Sequence, residues 1–273
     1  MRLQHGVTAD RAIKALRELA ANVETGRAEI GLGTESVRRG RDRYLSWAEN
    51  AELQLRAVFA ESGLLDALHS ERYWRIQELD RYSARPAALI SAEIAKQAAL
   101  LRTAAERLET YRDLATRPGT EVTVVDTNTF LHCILFTAID WCQELQTDSV
   151  RLVLPLLVLD ELDDKTFSAN SRLAKRASKV LRTLDPFMEM VVTHGTAELR
   201  PGVTLEVLGD DDDHRRRTNN DTELLDRTEF LHQVIERPVT IVTTDYGMRV
   251  RGKARGLQAH VMPERLRLPL SSD

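Results

Sequence analysis

The sequence predicts an α/β domain, a mostly parallel sheet with helices on both faces, preceded by an all-α N-terminal region. Three observations predict it. The first 115 residues repeat apolar positions at spacings of three and four, with almost no strand signal. Beyond Pro118-Gly119 the pattern changes to short β-branched runs alternating with helical ones. At 273 residues the chain is comfortable for two domains.

The N-terminal elements follow in order. "TADRAIKALRELAANVETG" sets Ile13, Leu16, Leu19, Ala20 and Val23 on one helical face, with Thr8 or Asp10 as cap and Gly26 as stop. "RRGRDRYLSWAENAELQLRAVFAESG" continues with Leu45, Ala48, Leu55, Val58 and Phe59 and ends near Gly63. Residues 64–79 read as helical with a less clean pattern. "PAALISAEIAKQAALLRTAAERLETYRDLA" sustains Ile90, Ile94, Ala98, Leu101, Ala105 and Leu108, a helix long enough to pack within its domain or across a dimer. Residues 1–116 are therefore a helical domain for interaction or oligomerisation. "TRPGTE" is the boundary, because Pro118-Gly119 cannot continue a helix.

The second domain spans 121–265, with a tail at 266–273. "VTVV" is a strand and 128–146 a helix; "VRLVLP" is a strand and 156–184 is helical. "MEMVVTH" and "VTLEVLG" are strands, 220–236 a helix, "VTIVTTD" a strand, 247–255 a helix and "LQAHVMP" the last strand. Such alternation builds right-handed βαβ units.

Composition narrows the class. A charged fraction of 29% with 42% apolar residues describes a soluble globular chain. With few aromatics, its core is mostly Leu, Val, Ala and Ile. Residues 1–116 carry 18 basic and 17 acidic side chains, and the remainder 20 and 25, so no overall basic signature marks a nucleic-acid binder. Cys133 and Cys142, nine residues apart on one expected helix, point apart and read as buried reduced thiols. The N-terminus lacks the apolar core of a signal peptide, and no run reaches the roughly 20 residues of a membrane helix. The expectation is a cytoplasmic protein with no membrane partner.

Ligands of open parallel sheets bind beyond the carboxyl ends of the strands. Asp126 follows "VTVV", Glu161 falls early in the helix after "RLVLP", Asp245 ends "VTIVTTD", and Asp221 opens a helix after a polar loop. A lone Asp at such a place is usually a helix cap, and Asn128 and Thr129 also suit a cap. Four carboxylates on one rim, however, repel each other unless a cation intervenes. Hard divalent ions, Mg²⁺ or Mn²⁺, suit an all-oxygen set and support displacement at phosphorus. No Ser-His-Asp or Cys-His arrangement competes convincingly, and there is no Gly-rich phosphate loop or CxxC pair.

"VVDTNTFLH", "LPLLVLDELDDK", "NNDTELL" and "IVTTDYGMRVRGKARG" follow one another as in PIN-domain ribonucleases, and resemble the larger subtype found in nonsense-mediated-decay endonucleases. The resemblance covers about 121–265 and nothing before it. It implies a PIN-like sheet and Mg²⁺- or Mn²⁺-dependent hydrolysis of RNA. Asp126, Glu161, Asp221 and Asp245 match the family's acidic positions, serving as catalytic and metal residues, and Asn128 and Thr243 match the polar residues that steady the site.

Around these acids, Asp163 and Asp164 read as a solvated helix face and Lys165 as the i,i+4 partner of Glu161. "GDDDDHRRR" reads as an exposed loop of partly neutralising charge, whose Arg215, Arg216 and Arg217 would otherwise guide RNA. Arg249, Arg251, Lys253 and Arg255 form a basic cluster of the kind a phosphate backbone needs. His132, His194 and His260 lack metal-ligand spacing. Trp47, Trp74 and Trp141 read as core or helix-packing residues.

The expected partners are RNA and, through the N-terminal helices, a second copy or another protein. Two other readings share the fold: a catalytically silent RNA-binding or regulatory protein, and the toxin of a toxin–antitoxin pair, disfavoured by the chain's size. A dehalogenase-like phosphatase wants a second acid where Asn128 stands, and a response-regulator receiver wants an acidic pair closing the first strand.

Overall fold

A computed structural model describes residues 2–4, 6–27, 30–31, 33–61, 63–79, 84–115, 120–210, 214 and 216–269. The chain divides into two compact units, one of residues 1–114 with 233–236, the other of 115–232 with 237–273.

In the first unit, β1 (Arg2–Leu3) pairs antiparallel with β2 (Phe59–Glu61). Between them lie α1 (Ala9–Thr25) and α2 (Thr34–Val58). Thr8 caps α1 by accepting from the Arg11 N–H at 3.2 Å, and Ile13, Leu16, Leu19 and Val23 are buried as the spacing predicts. The region 64–79 is two short helices, α3 (Gly63–Leu68) and α4 (Glu71–Gln77), because the Ser70 hydroxyl caps α4 by accepting from the Tyr73 N–H. α5 (Pro86–Ala115) runs 30 residues, with Pro86 at its first turn where no N–H is required. Val23, Tyr44, Ala48, Ile76, Ile90 and Ile94 share one core. Glu93 is buried within this unit, accepting from Ser70 at 2.7 Å and Gln97 at 2.8 Å. Of the two readings of Trp74, the core one fails, since it is 54% exposed, and its ring packs instead on His69 and Tyr73.

The second unit runs β3 (Thr120–Val125), α6 (Thr127–His132), α7 (Trp141–Leu145), β4 (Ser149–Pro155), α8 (Leu156–Thr166), α9 (Ser171–His194), β5 (Ala197–Arg200) and β6 (Val203–Leu208). It closes with α10 (Asn220–Ile235, its last turn counted in the first unit), β7 (Val239–Val242), α11 (Tyr246–Ala254) and β8 (Gln258–His260). The six strands lie in the order β5-β6-β4-β3-β7-β8, all parallel except β5 against β6. β3 from Val122 and β4 from Val150 are buried residue after residue, Thr123 and Arg151 included, because parallel strands are covered on both faces.

Three expected elements differ. The helix over 128–146 is instead α6, a 3-10 turn at Phe136–Ala138, and α7. α6 stops at His132 because Cys133 turns extended and bridges Arg267, while the Leu268 N–H donates to the His132 carbonyl. Cys133 is accordingly buried beside a strand-like segment, and Cys142 is only partly buried; both thiols are free. The helix over 156–184 is two helices, broken where the Asn170 side chain caps α9. "MEMVVTH" is not a strand: its residues form the last turns of α9, which ends at Gly195 in the left-handed region. The boundary at Pro118-Gly119 lies outside the described residues.

Candidate active site

β3 pairs with β4 on one side and β7 on the other, so the strand order reverses at β3, where parallel sheets open a crevice. Asp126 ends β3 there. Its N–H donates to the Val242 carbonyl of β7 at 3.0 Å, and its residue occupies the N-cap position of α6 in place of Asn128 and Thr129. The Thr129 hydroxyl instead donates to the Val242 carbonyl at 3.2 Å, tying α6 to β7.

The Asp126 carboxylate is 3% exposed. Thr243, itself buried, donates its hydroxyl to Asp126 Oδ2 at 2.8 Å and accepts from the Asp245 N–H at 3.0 Å. One hydroxyl thus fixes both the carboxylate at the end of β3 and the backbone leaving β7. Burial pushes the Asp126 carboxyl up to about 6; the Thr243 hydroxyl and the Asn128 N–H hold it down, while Glu161 and Asp221 raise it. Three carboxylates from β3, α8 and α10 therefore share one field.

Each of the other acids has present partners. Glu161 accepts from the Thr127 hydroxyl and from Asn220 Nδ2, the latter at 2.6 Å. Asp221 Oδ2 accepts from Arg251 Nη2 at 2.9 Å. Asp245 is exposed and caps α11, its Oδ1 accepting from the Met248 N–H at 2.6 Å. Among the described residues, no three acids, histidines or cysteines are gathered tightly enough to hold a metal ion. The donor chemistry nevertheless fits a hard divalent cation: all the donors are oxygens, and a buried carboxyl raised beside two more acids is what such a cation relieves. Coordination would require Glu161 and Asp221 to exchange Asn220 and Arg251 for the ion.

Glu161 is engaged by Thr127 and Asn220, and an ion pair with Lys165 is absent among the described residues. Thr127 and Asn220 carried no assignment from the sequence. Their one signal was adjacency, since each directly neighbours a rim acid in "DTN" and "NND". Glu223 was missed as well. It is 1% exposed, meets His214 Nε2 at 2.7 Å and accepts from the Arg217 N–H at 2.9 Å, so it clamps the loop before α10.

The basic residues separate into two groups. Arg216 bonds Asp210 at 2.7 Å and Asp160 at 2.5 Å, and Arg217 bonds Asp226 at 3.0 Å. Arg255 bonds Asp226 at 2.5 Å and reaches Glu229 at 3.3 Å. With Arg251 on Asp221, these four are held by carboxylates. Arg249 and Lys253 have no carboxylate partner among the described residues. Asn128 is half-buried beside Asp126, and Arg215 lies outside the described residues.

A family profile described as PIN domain matches residues 123–262, just over half the chain, from within β3 to past β8. The chain belongs to the PIN-domain family. PIN domains are generally nucleases and typically use divalent metals. Among solved structures, a domain of a functionally unknown protein from Methanocaldococcus jannaschii DSM 2661 is similar at 15% identity and a TM-score of 0.35, over 56% of this chain and 99% of that one. No curated protein matches the sequence. The PIN match begins at Thr123 and leaves the helical unit outside it. No helix among the described residues is long and apolar enough to cross a membrane.

Proposed function

We propose that this PIN domain is a metal-dependent endoribonuclease, acting in the cytoplasm, that hydrolyses RNA phosphodiester bonds at the rim of β3, α8, α10 and α11. The single observation that carries the reading is Asp126: a carboxylate 3% exposed, at the switch point of a parallel sheet, lifted by burial with Glu161 and Asp221 adding to the rise. Isolated, such a group is unfavourable; as a cation ligand it is useful.

Asp126, Glu161, Asp221 and Asp245 would hold Mg²⁺ or Mn²⁺. When bound, the ion lowers the pKa of water and stabilises charge on the phosphoryl oxygens. The chain's residues do the rest. Thr243 orients the Asp126 carboxylate, and Thr127 and Asn220 hold Glu161 at the rim until it takes a new partner. Arg251 balances the charge of Asp221. Arg249, half-buried, and Lys253, exposed, lie on the helix that Asp245 caps, where they would meet the phosphate backbone. The helical domain of residues 1–116 is proposed as the docking element for a second copy or a protein partner, and residues 121–265 as the nuclease domain.

The test is cleavage of a labelled single-stranded RNA pool in Mn²⁺ or Mg²⁺, with chelator and Asp126→Asn controls. Cutting that needs both the metal and Asp126 supports the reading. One observation favours a second reading, a catalytically silent RNA-binding or regulatory protein: Glu161, Asp221 and Asp245 all have intramolecular partners. That reading requires RNA binding that survives loss of Asp126 and no metal-dependent cutting.

A further inference from the structure

Helix α11 carries two different faces. Met248 and Gly252 are buried, and Arg251 reaches Asp221. The opposite face repeats at i, i+3, i+4 and i+7: Tyr246, Arg249, Val250 and Lys253. Tyr246 is 73% exposed, and Val250 is also exposed. The Arg249 guanidinium lies over the Tyr246 ring, 5.3 Å from its centroid. Neither Arg249 nor Lys253 has a carboxylate partner among the described residues.

This face starts one residue after Asp245, whose carboxylate caps the helix. An aromatic ring left in water beside unneutralised cations is the arrangement that binds single strands: the ring stacks a base and the cations track the phosphates. The surface is too small and too charged to be an unfinished piece of core.

We propose that Tyr246, backed by Arg249, is a stacking platform for an unpaired nucleobase of single-stranded RNA next to the carboxylate rim, with Arg249 and Lys253 on the adjoining phosphates. The inference rests on the nuclease reading for its choice of RNA. It assigns Tyr246 to binding and not to chemistry.

The experiment separates the two readings by measuring binding without cleavage. The full chain carrying Asp126→Asn, in chelator, is titrated against a short labelled oligouridylate and against an abasic ribose–phosphate oligomer of the same length. Tyr246→Ala is expected to weaken oligouridylate binding by about 5- to 150-fold and to leave abasic binding unchanged, with Tyr246→Phe restoring the loss. Arg249→Ala is expected to weaken both and to lower the salt slope by about one. Equal affinity of the parent for both oligomers overturns the platform, as does oligouridylate binding unaffected by Tyr246→Ala. No binding by the folded chain also overturns it, and leaves this face to a protein partner. Cleavage is scored separately with Asp126 present: Tyr246-dependent binding without cutting removes the nuclease and keeps the platform, while metal-dependent cutting indifferent to Tyr246 does the reverse.

Discussion

Asp126→Asn is expected to stabilise the metal-free protein at neutral and alkaline pH, although it removes the residue on which the site centres. The carboxyl is lifted from its ordinary 3.8 to about 6, with burial as the leading cause. Between those values the native state holds a proton that the unfolded chain has released, so stability falls as pH rises, the reverse of a salt-bridged Asp. At about 1.4 kcal/mol per pH unit, the ionised group costs the fold about 3 kcal/mol at pH 8, and about half of that accrues between pH 5 and 8. Asn has the same shape and never ionises. Urea denaturation in chelator, for both proteins at pH 5 and pH 8, checks this. The gain from Asp126→Asn should be larger at pH 8 by about 1.4 kcal/mol. Comparing the difference at two pH values cancels the altered Thr243 hydrogen bond, which contributes at both. A gain equal at the two pH values, or smaller at pH 8, refutes the assignment of the raised carboxyl to Asp126.

Further outcomes follow from the same geometry. Mg²⁺ or Mn²⁺ should raise the melting temperature of the parent protein and not of Asp126→Asn, read by thermal denaturation with and without the ion. Thr243→Val removes the hydrogen bond that holds the Asp126 carboxyl down, so the acid limb of any metal-dependent activity should move to higher pH in a pH–rate profile. Arg251→Ala should change stability by less than about 1 kcal/mol, since both partners are about half exposed, while tightening Mn²⁺ binding in a calorimetric titration by freeing Asp221 of a competing cation. Arg151→Ala should destabilise by about 3–5 kcal/mol in urea denaturation, because Arg151 on β4 bonds Glu206 on β6 at 2.5 Å with both side chains buried.

The sheet was legible because its strands are buried on both faces. "VTVV" and "VTIV" are unbroken apolar or β-branched runs, "VRLVLP" is interrupted only by Arg151, and each is followed by a polar residue or a helix start that marks its carboxyl end. That is why Asp126 and Asp245 could be placed from order alone. Local propensity misled where tertiary contacts decide. Val191-Val192-Thr193 favours a strand by side-chain branching, yet continues α9; the useful signal was Gly195, which can take the positive φ of 78° that ends the helix. The break after His132 has no Gly or Pro to announce it, because a segment more than 130 residues later, at Arg267 and Leu268, supplies the pairing. The partners of the rim acids were hidden for the same reason. That Arg251 meets Asp221, or Asn220 meets Glu161, depends on how helices from distant parts of the sequence face one another. Tyr246 was passed over because exposure of a single aromatic leaves no periodic trace.

The placement of β3 between β4 and β7 has a consequence for the order of events at the ribosome. β4 is made soon after β3, but β7 and Thr243 come more than a hundred residues later. Until Val239–Val242 has emerged, β3 has a bare edge, the Asp126 N–H lacks its acceptor, and no hydroxyl exists to orient the carboxylate. Pairings this distant in sequence are also the slow ones to form. A nascent chain can therefore display Asp126, Glu161 and Asp221 while the rim they build is still missing its other half, and that half is added only once β7 and Thr243 have emerged, an order set by topology alone.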